Sequence, residues 1–276
     1  MKIVLLYLLI AVMFLSCKKT TNTKQFDPKF VVEGWIENGE YPVVIVTHNL
    51  PIDAVIDSAQ AEEIIIRWAK VEVQTDDESE ILTLMRDDNI FPKYIYKGTQ
   101  LKGKTGKHYK LTITYAGNII AAETTVPATP LIDSISFTNV HENKYQLSIA
   151  FTDDAATTDY YRFYTKLDSV ISFSSTNPGG FSDRLFNGRS VSFQLYRNRY
   201  SNISRYTDAY FKRGDTVNVK LSKMDSTSFA YWESIDREIS RVPFLSKTGV
   251  TGANVQGPAT GIWYGVASSL RTGIAK

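Results

Sequence analysis

The sequence predicts a mainly β chain: two β-sandwiches in tandem, with one helix near the C-terminus packed on the second. Three observations lead there. Runs of alternating apolar and polar residues dominate from Phe30 onward. Turn signals recur between them, among them Asn38-Gly39 and Ala116-Gly117-Asn118. Aromatic residues are abundant, with Tyr 16, Phe 14 and Trp 4 in 276 residues, and such side chains favour the pleated, half-buried surface of a sheet.

The chain begins Met1-Lys2, followed by an apolar run from Ile3 to Leu15 and then Ser16-Cys17. A basic start, a short apolar stretch and a small residue are the parts of a secretory signal. The run is shorter than the roughly 20 residues a helix needs to cross the hydrocarbon core. Residues 1–16 are therefore read as a signal peptide. Cys17 is the sole cysteine, so no disulfide can form within the chain. The run Phe14-Leu15-Ser16-Cys17 resembles the lipobox of bacterial lipoproteins, which implies lipidation of Cys17, and acyl chains at roughly 0.8 kcal/mol per buried CH₂ would hold the chain at a bilayer. Residues 17–27, which include Lys18, Lys19 and Lys24, read as a polar, lipid-anchored tether.

The first sandwich is assigned to residues 28–127. Phe30–Ile36 and Tyr41–Thr47 form a hairpin across Asn38-Gly39. Val71–Thr75 and Ile81–Leu84 flank the acidic turn Asp76-Asp77-Glu78, and Lys107–Tyr115 pairs with Ile119–Val126. The span Asp53–Trp68 fits a short helix or a strand. Pro127 and Pro130 cannot sit inside a central strand, so the joint is placed there, with proteolysis expected to release two halves.

The second sandwich is assigned to residues 128–276. Its strands are Ser134–Val140, Lys144–Phe151, Tyr160–Leu167, Val191–Tyr196 and Thr216–Leu221, with the Ser-, Asn- and Gly-rich span Phe173–Gly188 read as a long loop. A helix near 226–240 is capped by Asp225. Phe229, Trp232, Ile235 and Ile239 share one of its faces, predicted to be buried core. A last strand lies near Ile262–Ala267. Short strands with turn signals indicate immunoglobulin- or transthyretin-like sandwiches.

The formal net charge of +2 gives no global pull towards nucleic acid. His48, His108 and His141 lie in separate segments without ligand spacing. No Gly-x-Ser-x-Gly or complete phosphate loop is present, so neither a cofactor nor a catalytic residue is assigned. The acidic turn around Asp153, Asp154 and Asp159 is the candidate cation site, because hard cations take several oxygens. The region from Phe181 to Arg213 interleaves arginines with aromatics. Arg184, Arg189, Arg197, Arg199, Tyr196, Tyr200 and Tyr206 form its candidate interaction surface, a composition enriched in interface hot spots.

Several segments stand out together: Val31-Val32-Glu33-Gly34-Trp35-Ile36, Gly106-Lys107-His108-Tyr109-Lys110-Leu111, Phe151-Thr152-Asp153-Asp154 with Tyr160-Tyr161-Arg162, Phe186-Asn187-Gly188, Gly214-Asp215-Thr216-Val217, Tyr231-Trp232 and Asn254-Val255-Gln256-Gly257. In these the chain resembles a family of Bacteroidota lipoproteins catalogued as domain of unknown function 4249. The resemblance implies a lipid-anchored outer-membrane protein, with genes often beside those of TonB-dependent receptors. It supplies no catalytic residues. The expected function is a non-enzymatic accessory or binding subunit of a TonB-dependent uptake system, on the periplasmic or the extracellular face. A lipoprotein that itself binds a glycan or peptide is the alternative, and a hydrolase assembled from distant residues is a third reading. The expected partners are the membrane, through Cys17, and such a receptor, with no nucleic acid.

Overall fold

The computed structural model describes residues 28–51, 62–197, 209–239 and 250–276. The residues read as signal peptide and tether, with Cys17, lie outside them, as do Arg199, Tyr200 and Tyr206.

The first half supplies β1 (Phe30–Glu37), β2 (Val43–His48), β3 (Lys70–Gln74), β4 (Ser79–Ile81), β5 (Thr83–Arg86), β6 (Tyr94–Lys97), β7 (His108–Tyr115) and β8 (Asn118–Thr125). The second supplies β9 (Ile132–His141), β10 (Lys144–Thr152), β11 (Tyr160–Leu167), β12 (Ser174–Ser182), β13 (Ser190–Leu195), β14 (Phe211–Lys212), β15 (Thr216–Met224), helix α1 (Ser226–Ile239) and β16 (Ala259–Ile274). The fold is mainly β, with two sandwiches in tandem and the helix near the C-terminus.

Each sandwich has its own core. Val32, Val44, Val71, Leu111, Ile113 and Trp263 pack together in the first. Leu147, Ile149, Phe151, Phe163, Val219 and Leu221 do so in the second. Along β7 and β8 the buried positions alternate with exposed ones, which is the period-two pattern read in the sequence. The β4–β5 segment turns a corner between sheets: β4 pairs with β3, β5 pairs with β6, and buried Leu82 sits between them.

The sheets correct one expectation. The two sandwiches are not self-contained, because one eight-stranded sheet runs through both in the order β12-β11-β15-β16-β1-β2-β6-β5. Its shared member is β16. Residues Ala259–Val266 pair in parallel with β1, and Val266–Ile274 pair antiparallel with β15. Val126 closes the first core and Ile132 opens the second, but Trp263 and Ala267 return to the first core from the end of the chain. The Trp263 indole N–H donates to the Tyr109 carbonyl, and Asn254 bonds the backbone of Trp263 in both directions. Gly265 makes this insertion possible: a Cβ there would lie 2.3 Å from the Thr125 carbonyl oxygen.

Two further differences concern the second half. The span read as a loop from Phe173 contains β12, an edge strand paired with β11 through an irregular register. Ser and Gly carry little strand propensity, and the pairing is imposed by the neighbouring strand. The helix also departs from expectation. Asp225 caps it, accepting the Ser228 N–H at 2.7 Å. However, Trp232 and Ile235 are half-buried, while Ser228, Ser234 and Asp236 are the buried positions. Helix α1 lies on the outer face of the shared sheet, not inside a core. Trp232 meets Tyr264 of β16 edge-on at 5.8 Å. Arg162 of β11 forms a 2.9 Å ion pair with Asp236, both almost fully buried.

Candidate functional site

Asp159 immediately precedes β11, and Asp183 immediately follows β12. Because Tyr160 pairs with Ser182, the two aspartates face one another just beyond the ladder. Their backbones and side chains lock together. Asp183 N–H donates to the Asp159 carbonyl at 3.0 Å, and Asp159 N–H donates to Asp183 Oδ2 at 2.8 Å. Asp153, just past the end of β10, joins them. The three carboxylates are buried and offer oxygens within 4.8 Å of one another.

Two side chains from the sheet enter this cluster from below. Tyr161 and Lys223 are register partners on β11 and β15, so they share a face. The Tyr161 hydroxyl lies 2.6 Å from Asp153 Oδ1 and 3.1 Å from Asp159 Oδ2. The Lys223 ammonium donates to Asp159 Oδ2 at 2.5 Å. Burial, and then the bond to Asp153, push the Tyr161 phenol far up, so it remains a neutral donor. Burial also raises the Asp183 carboxyl. The Asp159 N–H opposes that rise, while the charges of Asp153 and Asp159 add to it and Lys223 opposes it.

Three clustered carboxylates suit a hard cation. In this arrangement, however, Lys223 supplies the positive charge, and backbone N–H groups occupy further oxygens. A cation entering here would displace Lys223 from Asp159. Of the sequence-predicted set, Asp153 and Asp159 meet. Asp154 does not: it is exposed and accepts the Ala156 N–H within its own turn. Asp183 takes its place. Its distance of 24 residues from Asp159 left no spacing signal in the sequence.

The cluster holds up a surface loop. Gly188 N–H donates to Asp153 Oδ2 at 2.8 Å, and Asp153 N–H donates to the Arg189 carbonyl at 3.2 Å. Gly188 has φ +70, and a Cβ there would strike Ala155 at 2.6 Å. Phe186 anchors the loop from within, packing edge-on against Phe151. The loop starts with a single 3-10 turn, Asp183–Leu185. Arg184, Leu185 and Arg189 are displayed on its outer side, Leu185 being 92% exposed.

The structure divides the sequence-predicted surface. Arg184 and Arg189 lie before β13, while Tyr196 and Arg197 lie beyond its far end, about 20 Å away at the usual strand rise. There the Tyr196 ring meets Tyr210 at 5.9 Å. The histidines do not converge: His48, His108 and His141 sit on β2, β7 and β9.

Asp183→Asn tests the electrostatics of the clamp. Below the ordinary carboxylate range, Asp183 is protonated in both the folded and the unfolded chain and carries no penalty. As pH rises through its elevated folded value, the folded state must ionise a buried group, and stability falls. Melting curves of wild type and variant should therefore shift in the variant's favour as pH rises above the ordinary carboxylate range. A difference independent of pH would show that Asp183 ionises freely.

A family model described as Domain of unknown function (DUF4249) matches residues 18–255. Comparison with curated protein sequences gives no match. Among solved structures, the chain is similar to a two fibronectin type-III domain segment from chicken tenascin, at 13% identity and a TM-score of 0.22, over 71% of this chain and 91% of that one.

Proposed function

The chain belongs to the DUF4249 family, and from that premise we propose that it is a non-enzymatic, lipid-anchored protein of the cell envelope. It serves as an accessory or binding subunit of a TonB-dependent outer-membrane uptake system in Bacteroidota, held to the outer membrane through acylated Cys17. The observation that carries the binding reading is the clamped loop 183–189. It displays Arg184, Leu185 and Arg189 on a frame fixed by three buried aspartates. A surface that is already ordered loses little conformational entropy on binding, and arginine beside an apolar anchor is a frequent hot-spot composition. The buried carboxylates are engaged with Lys223, Tyr161 and backbone N–H groups. Their role in this reading is to shape the loop and not to turn over a substrate.

The test is purification from native membranes in mild detergent after cross-linking, comparing wild type with Arg184→Glu/Arg189→Glu. A TonB-dependent receptor should be recovered with wild type. Losing hot-spot contacts of about 2 kcal/mol or more should cut recovery at least roughly thirtyfold. If no receptor comes with wild type, the accessory reading fails. Equal recovery with both proteins would keep the partner and move the contact away from this loop.

A further inference from the structure

We propose that the end of the first sandwich where the chain enters from its tether docks on an anionic lipid surface, with Trp68 and Ile119 entering the interfacial layer. This inference rests on the lipid-anchor reading of Cys17.

The described chain enters the sandwich at a definite place. Lys29 N–H donates to Asn49 Oδ1 at 2.7 Å. Phe30 then packs against His48 at 5.2 Å and edge-on against Tyr115 at 6.0 Å. The start of β1, the end of β2 and the end of β7 therefore lie at one end of the sandwich. Strand register brings two more features to that end. Thr114 of β7 pairs with both Lys70 of β3 and Ile119 of β8. Trp68 lies two residues before β3, and with His48, Arg67 and Tyr115 it lines a hollow of about 380 Å³.

Trp68 is 86% exposed and Ile119 65% exposed. Holding both in water forgoes the burial of a large apolar area. Tryptophan is the side chain that gains most at a membrane interface, where its ring is apolar and its N–H stays wet. Geometry places this end near lipid. Cys17 and Lys29 are twelve positions apart, and that length of chain extends at most about 40 Å. An acyl group on Cys17 thus confines this end, in preference to the far sandwich, to the bilayer's neighbourhood.

Charge favours anionic headgroups. The tether brings Lys18, Lys19 and Lys24, and exposed Lys29 follows. Each is worth about 1 kcal/mol near such a surface. Glu62 and Glu63 also line the hollow, and Arg67 pairs with Glu62 at 3.8 Å, so the approach depends on the lysines of the tether side.

The experiment uses full-length protein purified from membranes, with acylation at Cys17 read by mass spectrometry. The protein is reconstituted into vesicles containing phosphatidylglycerol and a headgroup-level spin-labelled lipid. Tryptophan emission should be quenched, and Trp68→Phe should remove most of that quenching. Unacylated Cys17→Ala protein should bind the same vesicles weakly, and Trp68→Ser/Ile119→Ser should weaken that binding several-fold. Acylated protein whose emission is not quenched overturns the docking while leaving the anchor intact. Absence of the acyl group overturns the anchor reading, and vesicle binding by Cys17→Ala protein that the double variant does not weaken overturns the docking independently. An emission change in Trp68 with soluble oligosaccharide, and none with vesicles, would assign the end to a sugar and also overturn it.

Discussion

Cleaving the chain between Pro127 and Pro130 is expected to leave one particle, because the first sandwich takes part of its sheet and core from residues after 253. Val32 to Ile36 of β1 pair with Gly261 to Gly265 of β16, and Ile262 and Trp263 are fully buried. A chain ending at 127 exposes the β1 edge and leaves the space that Trp263 fills. Fragment 18–127 should show no cooperative unfolding transition alone, and adding fragment 128–276 should restore one. In the intact chain, Trp263→Ala should cost about 3–5 kcal/mol and lower the stability of both halves, since β16 joins them. Cooperative thermal unfolding of 18–127 by itself would show that β16 is dispensable to the first sandwich.

The second large effect is expected at the ion pair beneath α1. Arg162 and Asp236 are 3% and 1% exposed, and their charged atoms lie 2.9 Å apart. Removing one partner leaves the other charge buried and uncompensated, at about 3–5 kcal/mol. Arg162→Met should therefore lower the melting temperature by roughly 10 °C in a chain of this size. Replacing both partners, as in Arg162→Met/Asp236→Leu, removes the stranded charge and should recover most of the loss. A double variant as unstable as the single one would show that the guanidinium matters for its stacking on Trp232, 5.7 Å from the ring, more than for its charge.

Much of the strand pattern was legible because it is local. The β1–β2 hairpin, β7–β8 and β9–β11 each follow from alternation and turn residues in adjacent segments, and the helix follows from its capping aspartate and its period. The half-buried state of Trp232 was not legible. Periodicity marks an apolar face but not what covers it, and here the neighbour is the outer face of a sheet that also holds buried Arg162 and Ser222. The clamp was half legible: the acidic turn is visible at Asp153 and Asp159, but Asp183 and Lys223 arrive through strand pairing. Of the candidate surface, Arg184 and Arg189 come together on one loop, and Tyr196 and Arg197 fall at the other end of β13.

By itself, the sequence determined the class of the molecule. The apolar run before Cys17, the near-neutral charge and the alternating strands depend only on residue order and side-chain chemistry. Tertiary structure alone decided how the strands are shared. The β1–β16 pairing joins segments more than two hundred residues apart, and its hydrogen bonds use backbone groups that every residue carries. No local pattern encodes such a partner. It is selected by the shape of two cores, the first accepting Trp263 from β16 and the second Ala275, one residue past the end of that strand.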